Sequence, residues 1–245
     1  MRVARLVSTL VLTAHGSADP RSSATTHAVA EHIRQLRPGL DVRAAFCEQT
    51  SPNLLDVLSG LAREDGRDAV VTPLLLANAY HARVDIPGLI ADSAALVRQA
   101  DVLGEDDRLL QVMRERLAEV GVSPLDGEVG VLVVAVGSSY AAANARTAQV
   151  AAALAAGTRW AGAVAAFATG PRPTVAEAAV QLRAAGATRL VVAPWFLAEG
   201  RITDRVADYA RGAGIAMAEP LGAHWLVAAT VLDRFEAAVA VRAAA

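Results

Sequence analysis

The 245-residue chain contains one cysteine, Cys47, so neither an internal disulfide nor a thiolate-clustered zinc or iron–sulfur site can be assembled from it. That usage fits a reducing, intracellular setting, and the cytoplasm is the expected location. No apolar run approaches the length of a membrane span, so no membrane association is expected. Net charge is also scarce. At −2 the chain exerts no overall attraction on nucleic acid, and an anionic ligand would have to meet a local group of arginines. What is plentiful is apolar surface: 54% hydrophobic residues can bury one large core or two medium ones.

Positions 10–77 and 131–198 run in one register without a gap and share 17 of 68 residues. Ala14, Gly16 and Ser17 align with Ala135, Gly137 and Ser138, Phe46 with Phe167, and Pro52 and Pro73 with Pro173 and Pro194. The chain therefore reads as an internal duplication. The match also explains the start of the chain. Met1-Arg2-Val3-Ala4-Arg5 and the apolar run after it look like a signal peptide, yet the equivalent run at 129–135 lies in mid-chain. Both runs are better read as the first buried strand of a lobe.

Each copy alternates apolar strands, Gly-containing turns and helices, the pattern of a parallel sheet covered by helices. The expected fold is α/β, with two similar lobes at 1–122 and 123–245. Strands are expected at 10–14, 42–46 and 69–76, and at 131–135, 164–167 and 189–197. Helices are expected at 25–37, 53–63 and 107–120. Val102-Leu103-Gly104 and Pro220-Leu221-Gly222 suggest a fourth short strand in each lobe, offset by 118 rather than 121. The joint is expected at 121–128, which holds Ser123-Pro124 and Asp126-Gly127.

Chemistry is sought where the copies differ. His15 is replaced by Val136 and His81 by Ile202. His15 follows the first strand and His81 the third, so both should emerge at the carboxyl edge of the sheet, where open α/β folds bind ligands. Neutral imidazoles there could hold a divalent metal, move protons, or both. Glu48, after the second strand, reaches the same edge as a possible base or cation partner, or as a loop acid or helix cap. Asp85 could orient the His81 ring, but a cap on the helix starting near Pro87 is the preferred reading. His27 and His32 read as helix-surface residues, and His224 is left open. The turns at Ser17 and Ser138 offer backbone N–H groups to a carboxylate or phosphate. Arg21, Arg83, Arg201 and Arg205 could add positive charge.

Leu-Thr-Ala-His-Gly-Ser (12–17), Pro-Leu-Leu-Leu-Ala-Asn-Ala-Tyr-His-Ala-Arg-Val-Asp-Ile-Pro (73–87) and Val-Leu-Gly (102–104) together resemble the sirohydrochlorin chelatases of the class II chelatase group. Phe-Leu-Ala-Glu-Gly (196–200) and Glu-Pro-Leu-Gly-Ala-His (219–224) extend the resemblance into the second copy, as in the tandem-repeat long members. It implies insertion of Fe²⁺ or Co²⁺ into sirohydrochlorin, on the way to siroheme or cobalamin. His15 and His81 would be the metal ligands, with Glu48 a secondary catalytic candidate. No permanently bound cofactor is implied, since the metal is a substrate. Ser17, Arg21, Tyr80, Arg83, Ser138 and Arg201 would face a ring bearing eight carboxylates, while Leu75, Leu76, Tyr80 and the pair Trp195 and Phe196 would supply apolar walls. Partners would be sirohydrochlorin and the ion, and the chain a monomer or homodimer.

Two rival readings lead elsewhere. A cytosolic carrier would hold metal or tetrapyrrole without joining them. A histidine-type phosphatase would use His15 as nucleophile, but Ala14 stands where that chemistry needs an arginine.

Overall fold

The computed structural model describes residues 9–64, 68–93 and 95–243. The signal-like start at 1–5 lies outside the described residues. The elements in order are β1 (Thr9–Ala14), α1 (Pro20–Leu36), β2 (Val42–Phe46), α2 (Leu54–Arg63), β3 (Ala69–Pro73), a π turn (His81–Asp85), α3 (Ile86–Ala91), β4 (Val97–Gln99) and α4 (Asp107–Glu119). The second series is β5 (Val129–Ala135), α5 (Ala141–Ala155), β6 (Gly162–Phe167), α6 (Val175–Ala184), β7 (Arg189–Pro194), α7 (Arg201–Gly212), β8 (Ala216–Met217) and α8 (Trp225–Ala243). They form two parallel four-stranded sheets, ordered β2-β1-β3-β4 and β6-β5-β7-β8. Among the described residues no helix is long and apolar enough to cross a membrane.

The central strands β1 and β5 are buried along their whole length, as expected of parallel strands covered on both faces. In the first sheet Val11, Ala45 and Val71 pack against Leu54, Leu58 and Leu61 of α2 and Ile86 of α3. α1 and α8 pack together, α1 against β1 and β2 and α8 against β3. In the second sheet Leu132, Val134, Ala166 and Val192 pack against α6 and α7, while α5 and α4 pack together, α5 against β5 and β6 and α4 against β7.

The compact units therefore differ from the boundary at 122/123. One comprises 1–104 and 225–245, the other 105–224. The helix after the fourth strand of each copy does not fold back on its own sheet: α8 takes the place beside α1, and α4 the equivalent place beside α5. In the first unit Arg234 of α8 donates to the carbonyls of Val102 and Leu103, and Arg37 pairs with Glu236. In the second, Arg114 of α4 donates to the Ala153 carbonyl and Arg189 to that of Gly121. A repeat match follows sequence ancestry and carries no information about which sheet a trailing helix covers.

Other boundaries moved for local reasons. α1 begins at Pro20 rather than 25, because Asp19 caps it by accepting from the Arg21 N–H and Pro20 suits the first helical turn. The fourth strands lie upstream of the expected Val102 and Leu221 segments. Val70 pairs with Arg98 and Val191 with Ala216, and this pairing keeps the expected offset of 118. Beyond the ladder, backbone bonds from Leu103 N–H to Leu75 O, and from Leu221 and Gly222 N–H to Phe196 O and Leu197 O, tie those segments down.

The turn after the first strand is the tightest point of each unit. Gly16 has φ +97°, and a Cβ built there would lie 1.8 Å from the Glu48 carbonyl oxygen; Gly137 has φ +96° and would meet the Gly170 carbonyl oxygen at 1.7 Å. Only glycine fits this approach of backbone to backbone. Gly16→Ala and Gly137→Ala are each expected to lower the unfolding free energy by at least about 2 kcal/mol, from backbone strain plus the displaced loop. Denaturant titration measures this, and a loss well under about 1 kcal/mol would contradict the close approach.

Candidate metal-handling site

At the carboxyl edge of the first sheet the β1–β2 pairing runs on for two residues: Cys47 N–H donates to Ala14 O and Glu48 N–H to His15 O, both at 3.0 Å. This extension sets Glu48 beside His15, with His15 Nε2 3.2 Å from Glu48 Oε1. After β3 the chain crosses the same edge and enters the π turn, whose first residue is His81. Its ring stacks on His15 with centroids 3.8 Å apart and planes 28° from parallel. His81 Nδ1 lies 2.5 Å from Asp85 Oδ2. Two imidazoles thus meet face to face, each with its own carboxylate.

The electrostatics are asymmetric. Burial, then the charge on a protonated His81, hold the His15 pKa below its usual value of 6.5, against the upward pull of Glu48 and Asp85. His15 Nδ1 is buried without a hydrogen-bond partner. Beside the rings lies a cavity of about 350 Å³ lined by His15, Cys47, Glu48, Val84, Asp85, Gly88, Leu89 and Asp92. Burial, followed by the negative charges of Asp85 and Glu48, pushes the Cys47 thiol up to about 11, so it remains a neutral thiol at neutral pH. Among the described residues no three His, Cys, Asp or Glu side chains are grouped to enclose a metal.

The structure brings His15, His81 and Glu48 together as expected. It corrects Asp85, which makes no capping hydrogen bond and has helical backbone angles. True caps such as Asp19 and Asn53 sit on extended backbone and accept from the N–H two residues ahead. The turn amides are also spoken for. Ser17 N–H donates to Thr50 Oγ1 and Ser138 N–H to Asn144 Oδ1, while the two serine hydroxyl oxygens accept from the N–H groups of Asp19 and Tyr140. Arg21 grips Asp19 through two nitrogens. Tyr80 is half exposed with its ring edge-on to His81, and Arg83 is exposed on the π turn.

Ser138 and Arg201 lie in the second unit, at the carboxyl edge of its own sheet and at the start of α7. Trp195 and Phe196 are 3% and 7% exposed and belong to that unit's interior, so they line no open wall. His27 is exposed on α1 as expected, and His224 pairs with Glu115 at 3.1 Å. The cavity-lining Cys47, Val84, Leu89 and Asp92 went unread, because nothing in their spacing marks a shared wall. Asp85 did carry a signal, its four-residue distance from His81.

A sequence model described as CbiX matches residues 9–120 and 130–238. The sirohydrochlorin cobaltochelatase of Priestia megaterium is 24% identical over 206 residues, which are 79% of this chain but only 65% of that relative's length. SirB from Bacillus subtilis, solved with Fe³⁺, superposes with a TM-score of 0.82 at 19% identity over 94% of each chain. The sirohydrochlorin chelatase SirB of B. subtilis subspecies spizizenii, in complex with cobalt, gives 0.76 at 18% identity over 94% of each chain. At these identities the structural likeness establishes the fold. The matched family segments take in both sheets and nearly every described residue, and the chain belongs to the CbiX family.

Proposed function

We propose that this protein inserts a divalent metal ion, Fe²⁺ or Co²⁺, into sirohydrochlorin, in siroheme or cobalamin biosynthesis in the cytoplasm. The observation that carries the reading is the stacked His15–His81 pair with Glu48 at its side. A storage or structural site closes four ligands around its ion, whereas an ion that must pass to a macrocycle needs few protein ligands and open positions. Two imidazoles meet that need, and nitrogen donors suit both ions.

Insertion forms metal–nitrogen bonds while two pyrrolic protons leave, so bases must stand close to the ion. In this reading His81 holds the metal. His15 shares metal-holding with proton acceptance, and Glu48 is a further proton acceptor: the lowered His15 pKa keeps its imidazole neutral and basic at neutral pH, and Glu48 lies 3.2 Å away. The substrate's carboxylates require fixed cations, and every basic side chain outside the histidines is arginine, because the chain has no lysine. We assign rim contacts to the hydroxyl of Ser17, to Arg21 and Arg83, and to the exposed face of Tyr80.

His15→Ala and His81→Ala are each expected to lower the insertion rate at least about 100-fold, with thermal unfolding little changed, whereas His27→Ala keeps the native rate. Absorbance of sirohydrochlorin mixed with Co²⁺ or Fe²⁺ reads the rate against a protein-free control. A native rate no faster than that control would instead indicate a carrier, and equal rates in all three variants would remove the histidines from the site.

A second expectation follows from the lowered His15 pKa. The folded protein binds this proton less readily than the unfolded chain, so the His15 contribution to stability is intact above pH 6.5 and is lost as pH falls through the lower folded value. In an NMR titration of the metal-free protein the His15 ring resonances should show a midpoint below 6.5. A midpoint at or above that value would contradict the buried setting.

A further inference from the structure

Asp85 does work that neither a helix cap nor a surface acid would do. It lies at the end of the π turn, in which Ile86 N–H reaches back five residues to His81 O. Against the second copy, this turn is where the repeat register slips. Buried Ala82 corresponds to buried Thr203 at an offset of 121, but buried Ile86 corresponds to buried Val206 at 120. One extra residue is therefore accommodated between two core positions. Its effect is to put Ile86 where a regular helix would have put residue 85, leaving Asp85 on the side of His81. The residues 121 positions after His81 and Asp85 are Ile202 and Val206, which pack into the core of the second unit. The histidine and the acid are absent together.

An ionised carboxylate can only accept, so the 2.5 Å contact requires a proton on His81 Nδ1. A neutral imidazole with Nδ1–H carries its lone pair on Nε2. His15 has no such arrangement, because its Nδ1 is unpartnered and its Nε2 faces Glu48. We propose that Asp85 is a positioning residue acting through His81: it holds the ring in one orientation and one tautomer and reserves the Nε2 lone pair for the incoming divalent ion. The proposal rests on the reading of His81 as a metal ligand, and it separates the two histidines, His81 being prepared for the ion and His15 exchanging protons with Glu48.

The test uses the full chain labelled with ¹⁵N-histidine, at about pH 8 where free imidazole is neutral. The native protein should show His81 with a protonated Nδ1 and an unprotonated Nε2. Asp85→Ala, a substitution that favours the helix, should release the tautomer and raise the Kd for Co²⁺ roughly 10- to 100-fold. Asp85→Asn keeps an acceptor oxygen and should retain the tautomer and most of the affinity. An Nε2-protonated His81 in the native protein overturns the proposal even if no variant folds, as does an unchanged tautomer or Kd in Asp85→Ala. If His81→Ala leaves the Kd unchanged, the underlying metal-site reading fails instead.

Discussion

Everything at the site depends on how closely the turn after the first strand approaches the backbone beyond the second. Gly16 lies against the Glu48 carbonyl, while Ala14 and His15 accept from Cys47 and Glu48. These bonds lengthen the sheet by two residues and set an imidazole and a carboxylate side by side. The second unit keeps the same device: Gly137 lies against the Gly170 carbonyl, and Ala135 and Val136 accept from Ala168 and Thr169. There the device carries Val136 and Thr169, which offer neither a metal ligand nor a base. The glycine is therefore common to both units because the architecture requires it, whereas the histidine is confined to the first.

The sheets were legible because strands buried on both faces leave nearly unbroken apolar runs, and because two copies of one pattern confirm each other. His15, His81 and Glu48 were legible because polar residues stood at strand ends where the other copy had none with that chemistry. Asp85 was misread for a physical reason. An acid ahead of a proline satisfies the pattern of a cap, and only the backbone angles, helical rather than extended, reveal that the helix has already begun. A five-residue π turn is also too short to leave a periodic trace. The apolar Val102 and Leu221 segments looked like strands because they are buried, yet burial alone does not make a ladder. The exchange of α4 and α8 was illegible altogether, since either sheet offers an apolar helix the same kind of face.

That exchange bears on the autonomy of the copies. α8 contributes Leu226, Val227, Val231 and Phe235 as buried residues, and it joins the first unit through carbonyl contacts with Arg234 and the Arg37–Glu236 pair. Cutting the chain at the repeat boundary would strip the histidine-bearing sheet of this helix and expose the face over β3. The hydrophobic term thus ties the site-bearing unit to the last residues described.

The second copy differs from the first at the site positions by more than four side chains. α7 is a regular helix, and with its period Ile202 and Val206 both turn into the core with Ala210. Restoring a histidine and an acid at those two positions would bury a charge-bearing pair among Leu182, Val192 and Phe196, a costly placement without hydrogen-bond partners. The first copy avoids that conflict through the extra residue of the π turn, which lets Ile86 fill the core while His81 and Asp85 stay together 40% and 32% exposed. On this scaffold the partly exposed His81–Asp85 pair therefore goes together with the extra residue of the π turn. Once the inserted residue is absent, apolar packing at 202 and 206 becomes the favourable solution.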